Sequence, residues 1–237
     1  MQLTREEILQ YQRQYLLEEF GVNGQLKLKQ ARIAVIGAGG LGSPLLLYLA
    51  AAGVGFIKVI DFDRVEVHNL HRQILFTHAD LGQLKAETAV SRLRLHNPNI
   101  ELVSNCVRLD ATNAAALLED VDLVIDGCDN FETRYAVNDA CIALGKTLVS
   151  GAIYKFEGQV AVFNHLGGPS YRDLFPNQTA STLLSCSVVG VMGSTCAVIA
   201  GFMSNEVIKL LTGLGKPLAG VVLQVNLLNM EINQFKI

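Results

Sequence analysis

The amino-acid sequence predicts an α/β fold: a Rossmann-like, mostly parallel sheet with antiparallel C-terminal strands and helices on both faces. Three observations carry the prediction. The β-branched run Ile33, Val35 and Ile36 leads into Gly37, Gly39 and Gly42, which spell G-x-G-x-x-G as the apolar helical pattern of residues 43–52 begins. A second apolar run, Phe56 to Ile60, ends on Asp61, about 20 residues past the glycines, where a mononucleotide-binding unit places a carboxylate for ribose hydroxyls. Late in the chain, Gly158 to Asn164 and Val221 to Ile237 alternate like strands joined by short turns, which predicts antiparallel pairing.

The other elements follow in order. Thr4 with Glu7 three residues later is a capping box, and Ile8, Tyr11, Tyr15 and Leu16 then share a helical face. A helix is therefore expected over 4–20, with Gly21 as its stop. Asp63 to Gln73 is polar and interrupted, and reads as a site loop. Gly82 and Lys85 open a helix that runs through Ala89, Leu93 and Leu95 to the break at Asn97-Pro98. Residues 100–107 and 121–125 read as strands. The second runs into Asp126-Gly127-Cys128-Asp129-Asn130, two carboxylates and an amide just past the carboxyl end of a strand. A helix over 133–143 and a strand over 147–150 complete the parallel part. The stretch 165–185, rich in Gly, Pro, Ser, Thr and Asn, reads as a crossover loop. Gly190 to Leu211, apolar nearly all round, reads as a helix buried in the core or against another subunit.

Composition narrows the class. At 237 residues the chain suits a single domain over 1–237. It is 50% hydrophobic and 17% charged with a net charge of −3, which suits a soluble α/β protein and not a polyanion binder, so no nucleic-acid partner is expected. The five cysteines, at 106, 128, 141, 186 and 196, form no C-x-x-C pair. Reduced thiols and a charged N-terminus without an apolar signal lead to the expectation of a cytoplasmic protein. Val188 to Met203 is apolar but Gly-rich and short for a membrane span, so no membrane partner is expected.

In the glycine loop, Gly37 permits a tight turn, Gly39 lets a pyrophosphate approach the backbone, and Gly42 lets the helix lie close to the strand. Free N–H groups and the helix dipole then face an anion. Alone, the pattern fits NAD, FAD, ATP or a mere tight turn. Downstream cations favour ATP over NAD. Backbone N–H groups meet a dinucleotide's two charges, whereas the roughly four on ATP usually require Arg, Lys and a metal. Arg72 and Lys85 supply the cations, and Asp129 a hard oxygen ligand of the kind Mg2+ prefers. Arg13, on the polar face of the first helix, reads on pattern alone as a solvated surface arginine.

Five ordered motifs then resemble one family. Gly37-Ala38-Gly39-Gly40-Leu41-Gly42, Asp61-Phe62-Asp63, Asn69-Leu70-His71-Arg72-Gln73, Gly82-Gln83-Leu84-Lys85 and Asp126-Gly127-Cys128-Asp129-Asn130 look like the ubiquitin-activating superfamily in its bacterial form. Its members of ThiF, MoeB and HesA type are adenylyltransferases that activate sulfur-carrier proteins for thiamine and molybdopterin synthesis. The similarity runs from about Ile8 to Leu211. It implies a nucleotide site built from Gly37, Gly39, Gly40, Gly42, Asp61, Asp63, Asn69, Arg72, Gln73, Lys85, Asp129 and Asn130. There Asp61 would hold the ribose, Asn69, Arg72, Gln73 and Lys85 would bind phosphates, and Asp129 would ligate Mg2+. Arg13, in Tyr11-Gln12-Arg13-Gln14, would reach across a homodimer interface into the partner's ATP. The implied reaction is attack by the C-terminal glycine carboxylate of a small ubiquitin-like sulfur carrier, ending in Gly-Gly, on the α-phosphorus of ATP. It gives an acyl adenylate and pyrophosphate, with Arg72, Lys85, Asp129 and Arg13 as the catalytic set. The pathway expected is thiamine (thiazole) synthesis, with molybdopterin synthase as the alternative, and a cysteine desulfurase or sulfurtransferase as sulfur donor.

In the thiamine branch the cysteine matching Cys186 is linked to sulfur transfer, and the reading as an inert buried thiol stays open beside it. Cys128 reads as packing. Many relatives hold a structural zinc on two C-x-x-C pairs, the first around a Tyr-Arg dipeptide. Here that place reads Ser170-Tyr171-Arg172-Asp173, so no zinc is expected. Two readings of other classes stay open: an NAD-dependent oxidoreductase and a non-catalytic ATP-binding subunit.

Overall fold

Strand β1 (Arg32–Ile36) is flanked on both sides by parallel partners, with Ile33 opposite Ile57 of β2 (Phe56–Ile60) and Leu123 of β4 (Leu123–Asp126). β-branched side chains fit a pleated surface buried on both faces, and four of the five β1 residues are buried. In the computed structural model, which describes residues 2–176 and 190–237, β3 (Glu101–Asn105), β5 (Thr147–Tyr154), β6 (Glu157–Phe163), β7 (Val221–Asn226) and β8 (Glu231–Lys236) complete one sheet. Its order is β3-β2-β1-β4-β5-β6-β7-β8. The first five strands are parallel and the last three antiparallel, as the sequence predicts. Chain direction across the sheet reverses between β1 and β4. That is the switch point at which open α/β sheets form a crevice at the carboxyl ends of their strands.

Helices α1 (Arg5–Gln10), α2 (Gln12–Tyr15), α3 (Gly21–Gln30), α4 (Gly42–Ala52), α5 (Lys85–His96), α6 (Ala114–Leu118), α7 (Phe131–Ala143), α8 (Tyr171–Leu174) and α9 (Gly193–Thr212) cover the two faces. Leu45, Leu46 and Leu49 of α4, Ala89 and Leu93 of α5, and Ile199 and Met203 of α9 pack on one face. Leu118, Val137, Cys141 and Tyr171 pack on the other.

The N-terminal region corrects one expectation. The capping box forms, with Glu7 N–H donating to Thr4 Oγ1 at 3.2 Å, but the helix expected over 4–20 breaks at Tyr11. The cause is tertiary. Tyr11 turns into the core, its ring lies against Gly53, and its hydroxyl accepts from Asn97 Nδ2 at 2.7 Å. Ile8 and Leu16, expected to share a helical face with Tyr11, are exposed where Tyr11 is buried. Gly21, expected as a stop, sits at φ +57° with its N–H on Leu17 C=O and opens α3, a mostly polar helix that gave little periodic signal.

α8 lies inside the stretch expected to be loop. α9 is long and apolar enough to cross a membrane, yet half of it is buried against the sheet and α4. Its burial is one-sided, because Ser194, Ala197, Val198 and Asn205 are exposed, so the expectation of a helix buried all round holds for one face only.

Asn97 ties α5 to both α4 and α1, donating to Tyr11 Oη and to Ala50 C=O, each at 2.7 Å, with no solvent exposure. Asn97→Ala leaves two buried acceptors without their donor. It is expected to destabilise the chain by about 2 kcal/mol and lower Tm by about 4–8 °C, measured by calorimetry.

Candidate active site

The floor of the site is the turn from β1 into α4. Gly37 has φ +89° and donates to Ile60 C=O at 2.9 Å, drawing the turn toward the end of β2. A Cβ on Gly42 would lie 1.9 Å from Gly37 O, so only glycine lets α4 start this close to the strand. Asp61 closes the turn from the side. Its Oδ2 accepts from Ala38 N–H at 2.7 Å and its Oδ1 from Asp63 N–H at 2.8 Å. Burial raises the Asp61 pKa, opposed by the Ala38 N–H and the charge of Lys85. These two bonds leave each oxygen with lone-pair capacity for a ligand.

The loop expected at 63–73 brings the cations to the same edge. Lys85 is buried at the start of α5, its Nζ 3.0 Å from Asp63 Oδ2. Arg72 runs its methylenes beside Gly40 and places Nη1 3.0 Å from His68 C=O and 2.8 Å from His71 Nε2. Asn69 accepts from Glu66 N–H at 3.1 Å, which shapes the turn. Gln73 is buried with Nε2 nearest the open side of Gly39, and its Oε1 has no hydrogen-bond partner. A buried polar atom left unmatched marks a place for a ligand or water.

The turn after β4 lies against the glycine loop across the switch point. Gly127 N–H donates to Ile36 C=O at 3.0 Å, and a Cβ on Gly37 would be 3.3 Å from Gly127 O. Asn130 caps α7 by accepting from Thr133 N–H at 2.9 Å. Asp129 is exposed at the tip, with no side-chain hydrogen bond or ion pair among the described residues. Desolvation pushes the Cys128 thiol well above the usual range, aided by Asp126, as suits packing rather than chemistry.

The structure thus gathers Gly37, Gly39, Gly40, Gly42, Asp61, Asp63, Asn69, Arg72, Gln73, Lys85, Asp129 and Asn130 around one crevice. Arg13 stands apart. It is exposed on α2, whose Gln14 bonds Ala52 C=O at 3.0 Å at the far end of α4. An eleven-residue helix separates it from the glycine loop, about 16 Å at 1.5 Å per residue. Cys186 lies outside the described residues.

Two contributors escaped the sequence reading. The first turn of α9 seals the crevice: a Cβ on Gly193 would meet His71 O at 2.5 Å, and Cys196 Sγ lies nearest the open side of Gly40. Beneath the Asp129 loop lies Arg134, a buried arginine that in sequence looks like any surface cation.

Ser170 and Asp173, at the place of the relatives' cysteine pair, form a capping box around Tyr171 and Arg172, with Ser170 Oγ 2.8 Å from Asp173 Oδ2. Among the described residues no group of three or more His, Cys, Asp or Glu is placed to hold a metal, and a hydroxyl–carboxylate pair does not fit a closed thiolate zinc site. A cavity of about 330 Å³ lined by Lys27, Asp122, Thr147 and His165 opens at the amino ends of β1, β4 and β5, away from the crevice.

The ThiF family model matches residues 11–237. The chain is 48% identical over 243 residues to a "Sulfur carrier protein adenylyltransferase" of Thermus thermophilus, covering all of this chain and 90% of that protein. It is 47% identical over 234 residues to a "Probable adenylyltransferase/sulfurtransferase MoeZ" of Mycobacterium tuberculosis, covering 97% of this chain and 60% of the relative. In three dimensions it resembles the crystal structure of E. coli MccB with ATP, at a TM-score of 0.85 and 22% identity, over 96% of this chain and 71% of the other.

Two substitutions separate the roles of the glycines. Gly42→Ala drives a methyl into the Gly37 carbonyl and is expected to abolish the folded state. Gly39→Ala places its methyl 3.7 Å from Gln73 Nε2, an ordinary contact. It is expected to keep Tm and to weaken ATP by about tenfold or more in calorimetry, because it fills the space a phosphate needs.

Proposed function

This chain belongs to the ThiF family, and from that premise we propose that it adenylylates the C-terminal glycine carboxylate of a small ubiquitin-like sulfur carrier, using ATP. The observation that carries the proposal is the juxtaposition across the β1/β4 switch point of a phosphate cradle with two cations, Arg72 and Lys85, and an unneutralised carboxylate, Asp129. A dinucleotide's pyrophosphate calls for neither added cations nor a metal-binding acid, whereas a triphosphate calls for both. The names of the Thermus and mycobacterial relatives support the same reaction.

The residues divide the work. Asp61 binds the ribose with its remaining lone pairs, and the backbone around Gly37 to Gly42 faces the phosphates. Asp129 would hold Mg2+, which when bound offsets phosphate charge. The carboxylate attacks the α-phosphorus, the bond from that phosphorus to the bridging oxygen breaks, and pyrophosphate leaves. No protein nucleophile takes part. The rate comes from aligning a weak anionic nucleophile and from Arg72 and Lys85 meeting the charge that accumulates on the leaving group. Cys186 is assigned to a later transfer of sulfur onto the carrier.

The carrier's tail enters at the carboxyl edge of the sheet. There the β5–β6 turn exposes Tyr154 and Phe156, and the neighbouring β7–β8 turn exposes Leu228 and Met230, an apolar platform beside the crevice. Exposed Ile8, Leu9, Leu16 and Leu17 on and beside α1 and α2, the helices that present Arg13, support a homodimer in which Arg13 reaches the partner's nucleotide. The MoeZ name among the relatives favours a molybdopterin-type carrier over the thiamine carrier.

With Mg2+ and a panel of carriers ending in Gly-Gly, the chain is expected to exchange labelled pyrophosphate into ATP only when its own carrier is present, and Asp129→Ala to lower kcat by about 100-fold or more. ATP binding without exchange for every carrier overturns the proposal. Arg13→Ala and Asp129→Ala, each nearly inactive alone, are expected to recover about a quarter of wild-type exchange when mixed and re-equilibrated, because a mixed dimer assembles one intact site. No recovery places Arg13 outside the partner's site.

A further inference from the structure

Arg134 is a buried charge that the mechanism above leaves unused. It sits on the first turn of α7, 7% exposed, with its guanidinium under the Asp126–Asn130 turn. One nitrogen, Nη2, donates to Cys128 C=O at 2.6 Å and to Gly151 C=O at 3.1 Å. The first carbonyl belongs to the residue before Asp129; the second belongs to β5, the strand next to β4 in the sheet. Asp126, 1% exposed, supplies the opposing charge and itself accepts from Cys128 N–H at 3.0 Å. Burial raises the Tyr171 hydroxyl to about 12, opposed by the charge of Arg134. Tyr171 is fully packed among Tyr135, Phe163 and Phe175, with ring centroids 4.9 to 5.6 Å away.

Cys128 is therefore gripped at both ends of its peptide: the N–H by Asp126 and the C=O by Arg134. Asn130 is fixed by its cap on α7. Asp129 lies between two anchored neighbours with its own side chain unheld. A turn this heavily tied around one exposed carboxylate is preorganised, and groups that hold a ligating residue in place tune what it binds nearly as strongly as the ligand does.

We propose that Arg134 is a positioning residue for the reaction. By clamping the Cys128 and Gly151 carbonyls together it fixes where the Asp129 carboxylate stands. The inference rests on the adenylylation reading for what Asp129 binds, but not for the clamp itself. Arg134→Lys keeps the charge, but its ammonium stands one bond nearer the backbone and falls short of the place from which Nη2 donates to both carbonyls.

In the ligand-free full chain, hydrogen exchange at the amides of residues 127–131 is expected to run about tenfold faster in Arg134→Lys than in the wild type, with β1 unchanged. Affinity for Mn2+ in the presence of ATP, read by electron paramagnetic resonance, is expected to fall by about 10- to 100-fold while metal-free ATP binds within about twofold of the wild type. Unchanged exchange at 127–131, or ATP and Mn2+ weakening together in step with a lowered Tm, overturns the proposal. A wild-type chain that takes up no Mn2+ with ATP overturns the adenylylation reading and the metal role of the loop, while the exchange measurement still decides whether Arg134 holds it.

Discussion

The contact between Gly42 and the Gly37 carbonyl is the constraint on which the rest of the site depends. A Cβ at 42 would stand 1.9 Å from that oxygen, so α4 begins closer to the end of β1 than any side chain permits. That approach brings the first N–H groups of α4 to the edge of the sheet. It also puts Gly37 against Gly127, so the turns after β1 and β4 meet across the switch point. Asp61 reinforces the arrangement through its bond to Ala38 N–H, a charge-assisted contact from the neighbouring strand. The nucleotide crevice is the space these three strand ends leave open.

Charge in the ligand-free crevice is distributed unevenly, in a way that suits a polyanion with a metal. Lys85 is paired with Asp63, whose side chain is half exposed. Only the Asp63 end of the pair reaches solvent, so a phosphate oxygen can replace the Asp63 contact and leave the buried Lys85 ammonium paired. Arg72 is held by a carbonyl and a histidine nitrogen, both neutral acceptors that a phosphate outcompetes. Asp129 has no described partner and is the one site acid whose charge is unanswered. A ligand that brings phosphates and a divalent cation together satisfies all three at once, whereas a bare dinucleotide would leave Asp129 as it is.

How much of this was legible beforehand depends on whether the determinant is local. Gly37, Gly42, Asp61, the Asp126–Asn130 turn and all eight strands follow from short-range rules of turn chemistry, periodicity and spacing, and the structure has them where those rules put them, with β5 and β4 shifted at their ends. The break at Tyr11 was not legible, because it comes from Asn97 and Gly53, some 86 and 42 positions along the chain. α3 carries too few apolar positions to set a period, α6 is five residues long and apolar throughout, and α8 is a single turn. Arg134 is the instructive case. Nothing in Glu132-Thr133-Arg134-Tyr135 marks it as buried, since its partners are two backbone carbonyls, and carbonyls have no sequence signature. The closure by α9 was hidden likewise, because Gly193 meets the backbone of His71 and not a recognisable side chain.

The buried polar network at the other end of α4 carries the last step. Gln14 and Gln25 both donate to Ala52 C=O, at 3.0 and 2.9 Å, while Asn97 joins Tyr11 to Ala50. Each of these bonds is buried at least on one side, and leaving one unmade would cost about 1–3 kcal/mol. The N-terminal helices are therefore not free to swing, and Arg13 is held at the wrong end of α4 to serve its own crevice. On the proposed reaction, which draws on a third cation, rigid attachment turns from an obstacle into a specification: the arginine would come from a second copy, presented by helices beside which Leu16 and Leu17 stand exposed. On that proposal quaternary structure would be a component of the active site, set by the same hydrogen bonds that fix the fold.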